Sequence, residues 1–518
     1  MKNTAAVYRE TFFMSATVHT ATVIGLDAHL IDVEADISPG LGSFLIVGLP
    51  DKAVQEARER VRSAMKCADL PFPRTKITLN LAPADLQKTG TGFDLPIAIA
   101  VLVASGDIDE KRVTSCIIAG ELSLDGTLRG ISGALSVALL AARLGKNELI
   151  LPLANAEEAA LVPDIIVRGA SSLQDVFSHL CGKSQLAQTP QRIVASADEV
   201  IGIPDLASIR GQEQAKRALE IAAAGGHNIL LQGPPGSGKT LLARAFPGIL
   251  PRMTTTEILE ATRIHSVAGY LPPCGYLAER PCRSPHHSAS STALVGGGTI
   301  PKPGEISLAH RGVLFLDEFP EFPRAVLESL RQPLEDGQVT VSRCNGTISF
   351  PARFTLIAAM NPCPCGYTSD PDRTCVCTNI QIQKYRKRLS GPLLDRIDLA
   401  IEVPKVPTQK LTELTAGEET KMVRERVQRA RDLQTERFRG ARFVTNAEMT
   451  SDIIRKTIIP DAEAKSFLTQ AVDRFNLSAR AYFRTLKVSR TIADLDGAKT
   501  VSLKHLAEAL QYRQLSEN

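Results

Sequence analysis

Residues 1–13 show little pattern, and the runs rich in Val and Ile at 18–24 and 30–35 then read as β-strands. Apolar positions at helical spacing follow over 52–66, 95–104 and 132–143, before a short apolar run at 148–151 returns to strand. This alternation predicts one α/β domain over 14–181. Residues 1–13 read as a disordered leader, or translation starts at Met14. The pattern weakens over 182–206, where Ser, Gln, Thr and Pro collect, and a linker is expected there. A second α/β domain is predicted over 207–403, with buried strands at 228–232, 312–316 and 354–360. Past Pro404 and Pro407, helix formers dominate 419–438, 462–475, 480–495 and 503–515, which predicts a helical domain over 404–518.

Composition narrows the class. The 518 residues, 44% of them apolar, suffice for about three domains with cores. A net charge of +4 means that any attraction to polyanions is local rather than a property of the whole surface. The apolar stretches 95–104 and 134–142 are about half the roughly 20 residues needed to cross a bilayer, so no membrane span is expected. Ten cysteines dispersed along a long chain, without a secretory signal pattern, point to a reducing cytoplasm.

The sharpest motif follows the 228–232 strand: Gly233, Pro234, Pro235, Gly236, Ser237, Gly238, Lys239 and Thr240 have the Walker A spacing and lead into helix formers. Glycines let backbone N–H groups converge on phosphate oxygens, Lys239 reaches the terminal phosphates of ATP, and Thr240 offers a hydroxyl to Mg2+. A chance glycine turn is the plain alternative, and the flanking strand and helix argue against it. The 312–316 strand ends in Asp317 and Glu318, as a Walker B strand requires: Asp317 to help hold Mg2+, and Glu318 to polarise the attacking water. Read alone, the two carboxylates would equally suit a solvated loop. Asn361, at the end of the third strand, is placed to sense the γ-phosphate.

Together these strands resemble the core of an AAA+ ATPase. Arg280 to His287, Ala293 to Gly298, Asn361 to Gly366, Gly391 to Asp398, Leu477 to Arg480 and Ser489 to Leu495 resemble the magnesium-chelatase-like branch, and most closely the YifB/ComM family, over nearly the whole chain from Met14. The resemblance implies an N-terminal domain of Lon-protease-like, ribosomal-S5 type, an AAA+ P-loop α/β core and a helical C-terminal lid. It implies a homo-oligomeric ring, a hexamer, with nucleotide between subunits. In that ring Arg396 matches an arginine finger supplied in trans, Arg480 sensor 2 on the lid, and Asn361 sensor 1. Without the resemblance, an ion pair from Arg396 to Asp395 or Asp398 is the plainer reading.

Asp317 stands 77 positions after Thr240, more than one helix and one strand consume. The resemblance places an insert near 263–300, containing His286 and His287. A metal site joining these histidines to Cys274 and Cys282 is disfavoured, because adjacent side chains rarely face one ion. Residues 339–349 alternate around Asn345 and Gly346, a strong hairpin signal. They resemble the pre-sensor hairpin that lines the pore of related helicases, which makes Arg343 a candidate DNA contact or, more plainly, a solubility residue. Cys363 and Cys365 are separated by nine residues from Cys375 and Cys377, so a folded-back loop can gather four thiolates for Zn2+; free thiols or a regulatory disulfide are the alternatives. Lys384, Arg386, Lys387 and Arg388 then form a basic run, suited to backbone phosphates if it lines a pore and otherwise a solvated face.

In the N-terminal domain, residues 89–94 contain no serine, and 132–136 hold no lysine where the Lon-like fold carries its catalytic one. No peptidase activity is expected. Arg58, Arg60 and Arg62 can support the ring, engage DNA, or be ordinary surface. The leading expectation is an ATP-driven motor on branched or single-stranded DNA, since the resemblance points to branch migration in recombination or in uptake of transforming DNA. The alternative is a magnesium-chelatase-like ATPase that remodels a protein without DNA; a motor for a protease complex is disfavoured by the missing Ser and Lys.

Overall fold

A computed structural model describes residues 15–192, 202–298, 301–343, 346–370, 372–406, 417–441, 443–475 and 477–513. The expected leader, Met14, and residues 193–201 of the expected linker lie outside them. The chain forms two compact units, Met1–Val194 with Thr262–Leu277, and Ala195–Ala261 with Ala278–Asn518. Both are mixed α/β structures.

In the first unit a four-stranded sheet has the spatial order Ala16–Ile24, Asp27–Ser38, Lys76–Ala82, Ser43–Val47. The first three strands are antiparallel and the last is parallel to its neighbour. Period-2 burial along Ala16–Ile24 shows one face turned to the core. Against it packs helix Asp94–Ala104, apolar all round and almost wholly buried. A second sheet of three parallel strands, Cys116–Ile118, Glu148–Pro152 and Ile166–Ala170, completes the unit.

One of the candidate arginines serves this interior, and a second packs on a ring at its surface. Arg60 makes a bidentate pair with the fully buried Asp94, at 2.7 and 2.9 Å, and a 2.7 Å bond to the Ala53 carbonyl. Arg62 lies over the Phe72 ring. Residues 262–277, which the sequence reading assigned to the ATPase core, cluster with this unit for an identifiable reason. Arg263 donates to the Leu26 carbonyl at 2.6 Å and to Asp27 at 2.7 Å, while Ser266 bonds the buried carboxylate of Glu158.

The second unit is built on five parallel strands in the order Cys282–Arg283, Val313–Leu316, Thr355–Met360, Ile229–Gln232, Leu399–Glu402. The central strands Val313–Leu316 and Thr355–Met360 are buried on both faces, as a parallel sheet covered by helices requires. The C-terminal segment is helical, with Thr420–Arg437, Ala462–Arg474, Ala479–Leu495 and Leu503–Gln511 as its main helices. It shares a core with the sheet through Val423, Val427, Val488 and Ile492, and has a smaller core of its own around Met449, Leu468 and Leu506.

The segment Ser489 to Leu495 ties the C-terminal helices together. Asp494, its side chain fully buried, accepts from Arg490 at 2.7 Å, from Arg437, and from Asn446 at 2.8 Å. Removing the shared acceptor strands buried cations, a loss of about 3–5 kcal/mol. Asp494→Ala is therefore expected to lower the thermal unfolding midpoint of the full chain clearly, as followed by circular dichroism, whereas loss of the exposed pair in Lys504→Ala should leave it nearly unchanged.

Candidate active site

Three of the parallel strands end side by side, and each carries functional side chains to the same edge of the sheet. Ile229–Gln232 runs into Gly233 to Gly238 and then helix Lys239–Ile249. Gly238 starts that helix at φ +93°, a conformation residues with a Cβ rarely adopt. Lys239 Nζ donates to the carbonyls of Gly233 at 2.8 Å and Pro234 at 2.9 Å, and to Asn361 Oδ1 at 3.2 Å. The ammonium is buried among neutral oxygens, and burial lowers its pKa from the ordinary lysine value.

Thr240 Oγ1 lies 2.8 Å from Asp317 Oδ2, at the end of Val313–Leu316. Adjacent ligands of an octahedral Mg2+ stand about 2.9 Å apart, so this pair matches one edge of such a site. The buried Ser237 Oγ finds no partner among the described residues. A polyphosphate supplies the acceptors that Ser237 lacks and the negative charge that Lys239 lacks, so the residues present fit ATP with Mg2+.

Glu318 has φ +51°, and its N–H donates to Asp317 Oδ1 at 2.9 Å. Its carboxylate meets His287 Nδ1 at 3.2 Å. His286 stacks on His287 but bonds to Ser288, so the two histidines do different work. Among the described residues the only cluster with metal-ligand geometry is Cys363, Cys365, Cys375 and Cys377.

Those four thiols lie within 4.8 Å of one another, with Sγ–Sγ separations of 3.4, 3.6 and 3.7 Å among the first three. Tetrahedral Zn2+ with bonds of about 2.3 Å sets its sulfurs about 3.8 Å apart. Backbone N–H of Tyr367, the largest influence, pulls the Cys365 thiol down to about 6. The loop also touches the phosphate loop: a Cβ on Gly366 would meet Pro235 at 2.6 Å. Beyond it, helix Asn379–Arg386 starts with a reciprocal cap between Thr378 and Gln381. Its C-terminal end carries Lys384, Lys387 and Arg388 exposed and Arg386 half-buried, with Arg388 paired to Glu321 at 2.6 Å.

Arg396 and Arg480 stand at the opposite edge of the sheet. The Arg396 carbonyl accepts from Asn228 Nδ2 at 3.0 Å, at the start of the strand whose far end is the phosphate loop. The Ile229–Gln232 strand alone separates the two edges by about 10 Å. The Arg396 guanidinium pairs with Glu335, and Arg480 reaches the same carboxylate at 3.7 Å. Neither Asp395 nor Asp398 is the partner: Asp395 faces Arg484 at 3.5 Å, and Asp398 accepts from Asn228 N at 3.2 Å. Around the two arginines opens a cavity of about 820 Å³, lined by the starts of four strands and by the C-terminal helical segment. Glu335 was missed in the sequence because its partners are distant in the chain and nothing local marks it; His287 was noticed only as a metal ligand.

The antiparallel hairpin Gln338–Arg343 and Gly346–Pro351 forms, but with Arg343 opposite Gly346, whereas a two-residue turn at Asn345 and Gly346 would set Arg343 opposite Ile348. The side chain of Arg343 and residues 344 and 345 lie outside the described residues.

Comparison with known proteins agrees over the length of the chain. Family models described as "Magnesium chelatase, subunit ChlI", "Subunit ChlI of Mg-chelatase" and "Magnesium chelatase, subunit ChlI C-terminal" match residues 205–411, 33–155 and 417–513. The chain is 48% identical over 504 residues to Competence protein ComM of Haemophilus influenzae, covering 96% of this chain and 97% of that protein. It is 46% identical to the uncharacterized protein YifB of Escherichia coli, at 96% and 97% coverage. A 206-residue stretch is 28% identical to DNA replication licensing factor Mcm2 of Drosophila melanogaster, spanning 37% of this chain and 20% of that one. The chain thus belongs to the YifB/ComM family of magnesium-chelatase-like AAA+ proteins, and that membership supports an ATPase.

Proposed function

We propose that this protein is an ATP-hydrolysing ring motor that moves branched or single-stranded DNA, in recombination of incoming DNA. The observation that carries the ring is the split site. Lys239, Thr240, Asp317, Glu318 and Asn361 gather at one edge of the sheet, while Arg396 and Arg480 lie at the other. Arginines so placed cannot reach their own chain's phosphates, and a neighbouring subunit's nucleotide is the site they suit. The family resemblance supports a hexameric ring.

In this reading Lys239 and Ser237 bind the phosphates, Thr240 and Asp317 hold Mg2+, and Glu318 takes a proton from the attacking water. Bound Mg2+ neutralises charge on the phosphates. Asn361 stays near the terminal phosphate while Lys239 orients it. Arg396 and Arg480 meet the charge that develops on the neighbour's transferring phosphoryl group, an effect worth roughly 1,000-fold or more. The hairpin bearing Arg343, with Lys384, Arg386, Lys387 and Arg388, supplies the DNA contacts. The first unit supports the ring as a Lon-like domain without peptidase chemistry. The match to magnesium chelatase models favours the second reading, a remodeller of protein partners; stimulation of ATPase by DNA distinguishes the two.

Lys239→Ala is expected to abolish nucleotide turnover. Glu318→Gln should still bind ATP while losing about 100-fold or more in rate, measured by phosphate release beside a fluorescent-nucleotide titration. Full turnover in Glu318→Gln would contradict its role. Mixing Arg396→Ala with Lys239→Ala chains should restore part of the ATPase, because some interfaces then combine an intact phosphate loop with an intact arginine; no rescue at any ratio argues against a shared site. Wild-type protein with ATP should exchange strands on synthetic four-way junctions, and neither movement nor DNA-stimulated ATPase would remove the DNA motor.

Zinc on Cys363, Cys365, Cys375 and Cys377 completes the proposal, as a clip tying Asn361 to the basic helix. Protein purified without chelator should carry about one zinc per chain, released by a thiol-reactive mercurial, and Cys363→Ser with Cys375→Ser should lose it. Less than about a tenth of an equivalent, measured by plasma emission, would leave the thiols free.

A further inference from the structure

One charged feature that neither the motif residues nor the zinc clip accounts for is Glu335. Helix Arg331–Asp336 ends at Gly337, φ +66°, and the hairpin strand starts at the next residue, Gln338. Glu335 is thus three residues from the hairpin. Its carboxylate is half exposed and takes both Arg396 and Arg480, and the bond from Arg396 holds it below the usual carboxylate range. Arg396 is the more buried of the two, and also bonds the Pro392 carbonyl; its Nε is buried with no acceptor among the described residues. Glu335 therefore supplies the anionic anchor for this guanidinium.

The hairpin root is rigidly seated. Ala352 N donates to the Gly337 carbonyl at 2.8 Å, which closes the hairpin's base. A Cβ on Gly337 would meet the Arg353 side chain at 2.9 Å. The strand that follows, Thr355–Met360, delivers Asn361 to the other edge of the sheet. A displacement of the hairpin therefore bears on Glu335 at one root and on the Asn361 strand at the other.

We propose that Glu335 is a positioning residue that couples the hairpin to Arg396 and Arg480: it orients both guanidiniums, and a shift of the hairpin root changes how they are presented to a neighbouring subunit's triphosphate. The proposal rests on the ring reading above and adds to it the link between polynucleotide and arginine. Exposed ion pairs are weak and exchange readily. A triphosphate, with more charge than one carboxylate, therefore displaces Glu335 from the arginines when the subunits are in register.

The test is ATPase of the full chain across ATP concentrations, with and without circular single-stranded DNA. Glu335→Gln keeps the shape of the side chain but removes its charge. It should not raise KM for ATP, since the triphosphate no longer has to displace a carboxylate from the arginines, while the stimulation by DNA falls by at least about fivefold. Glu335→Asp, which keeps the charge, should recover much of that ratio. Asp336→Asn, on the same helix and without an ion pair among the described residues, should behave as wild type. Wild-type stimulation retained in Glu335→Gln overturns the coupling alone, as does a loss in Asp336→Asn equal to that in Glu335→Gln. If the Gln variant does not fold, the Asp variant decides: stimulation no better than that of Arg396→Ala overturns the proposal. A wild-type protein that shows no stimulation by DNA removes the motor reading, and this one with it.

Discussion

A single buried ammonium with neutral partners sets the terms for the second unit. Lys239 is enclosed by two backbone carbonyls and one amide oxygen. Burying such a charge without a counter-ion is unfavourable, and its lowered pKa expresses that cost. The surrounding elements compensate in part. The Gly233 and Pro234 carbonyls come from the loop itself, and Asn361 must be delivered by a strand far along the chain. The parallel order that puts Thr355–Met360 directly beside Ile229–Gln232 is what brings the amide there. Placing Val313–Leu316 on the far side of Thr355–Met360 then sets Asp317 within bonding distance of Thr240.

The same sheet explains why the phosphate-loop residues and the two arginines stand apart in the chain. Parallel strands have two unlike ends. Loops at their carboxyl ends gather groups that suit phosphate and magnesium, whereas Arg396 emerges beside the beginning of the Ile229–Gln232 strand. No rearrangement of side chains carries a guanidinium across the sheet. The helix Ala479–Leu495 reinforces the separation: Arg484 bonds the Ile397 carbonyl at 2.5 Å and faces Asp395, which fixes this helix against the same edge.

Much of this was legible in the sequence, and the reason is locality. The phosphate loop needs a strand, glycines and a helix in direct succession, and Asp317 and Glu318 need only the apolar run before them. The hairpin announced itself by alternation about Asn345 and Gly346, and the gathering of four cysteines by their spacing. What escaped notice depends on contacts between distant segments. Glu335 lies 61 residues from Arg396, and no periodicity links them. The capture of residues 262–277 by the first unit turns on Arg263 and Ser266, whose partners Asp27 and Glu158 precede them by more than 100 positions. Arg60 was legible only as a positive charge, because a fully buried Asp94 cannot be told from an exposed one by its letter.

The close approach of Gly366 to Pro235 has a further consequence. The outer wall of the phosphate loop is formed by a turn more than a hundred residues downstream, with no room between them for even a methyl group. Position 366 is therefore as intolerant of a side chain as the glycines of the loop itself, although it belongs to no nucleotide motif. A search for damaging substitutions confined to residues around the triphosphate would pass over it, and an alanine there would enter the pocket from outside.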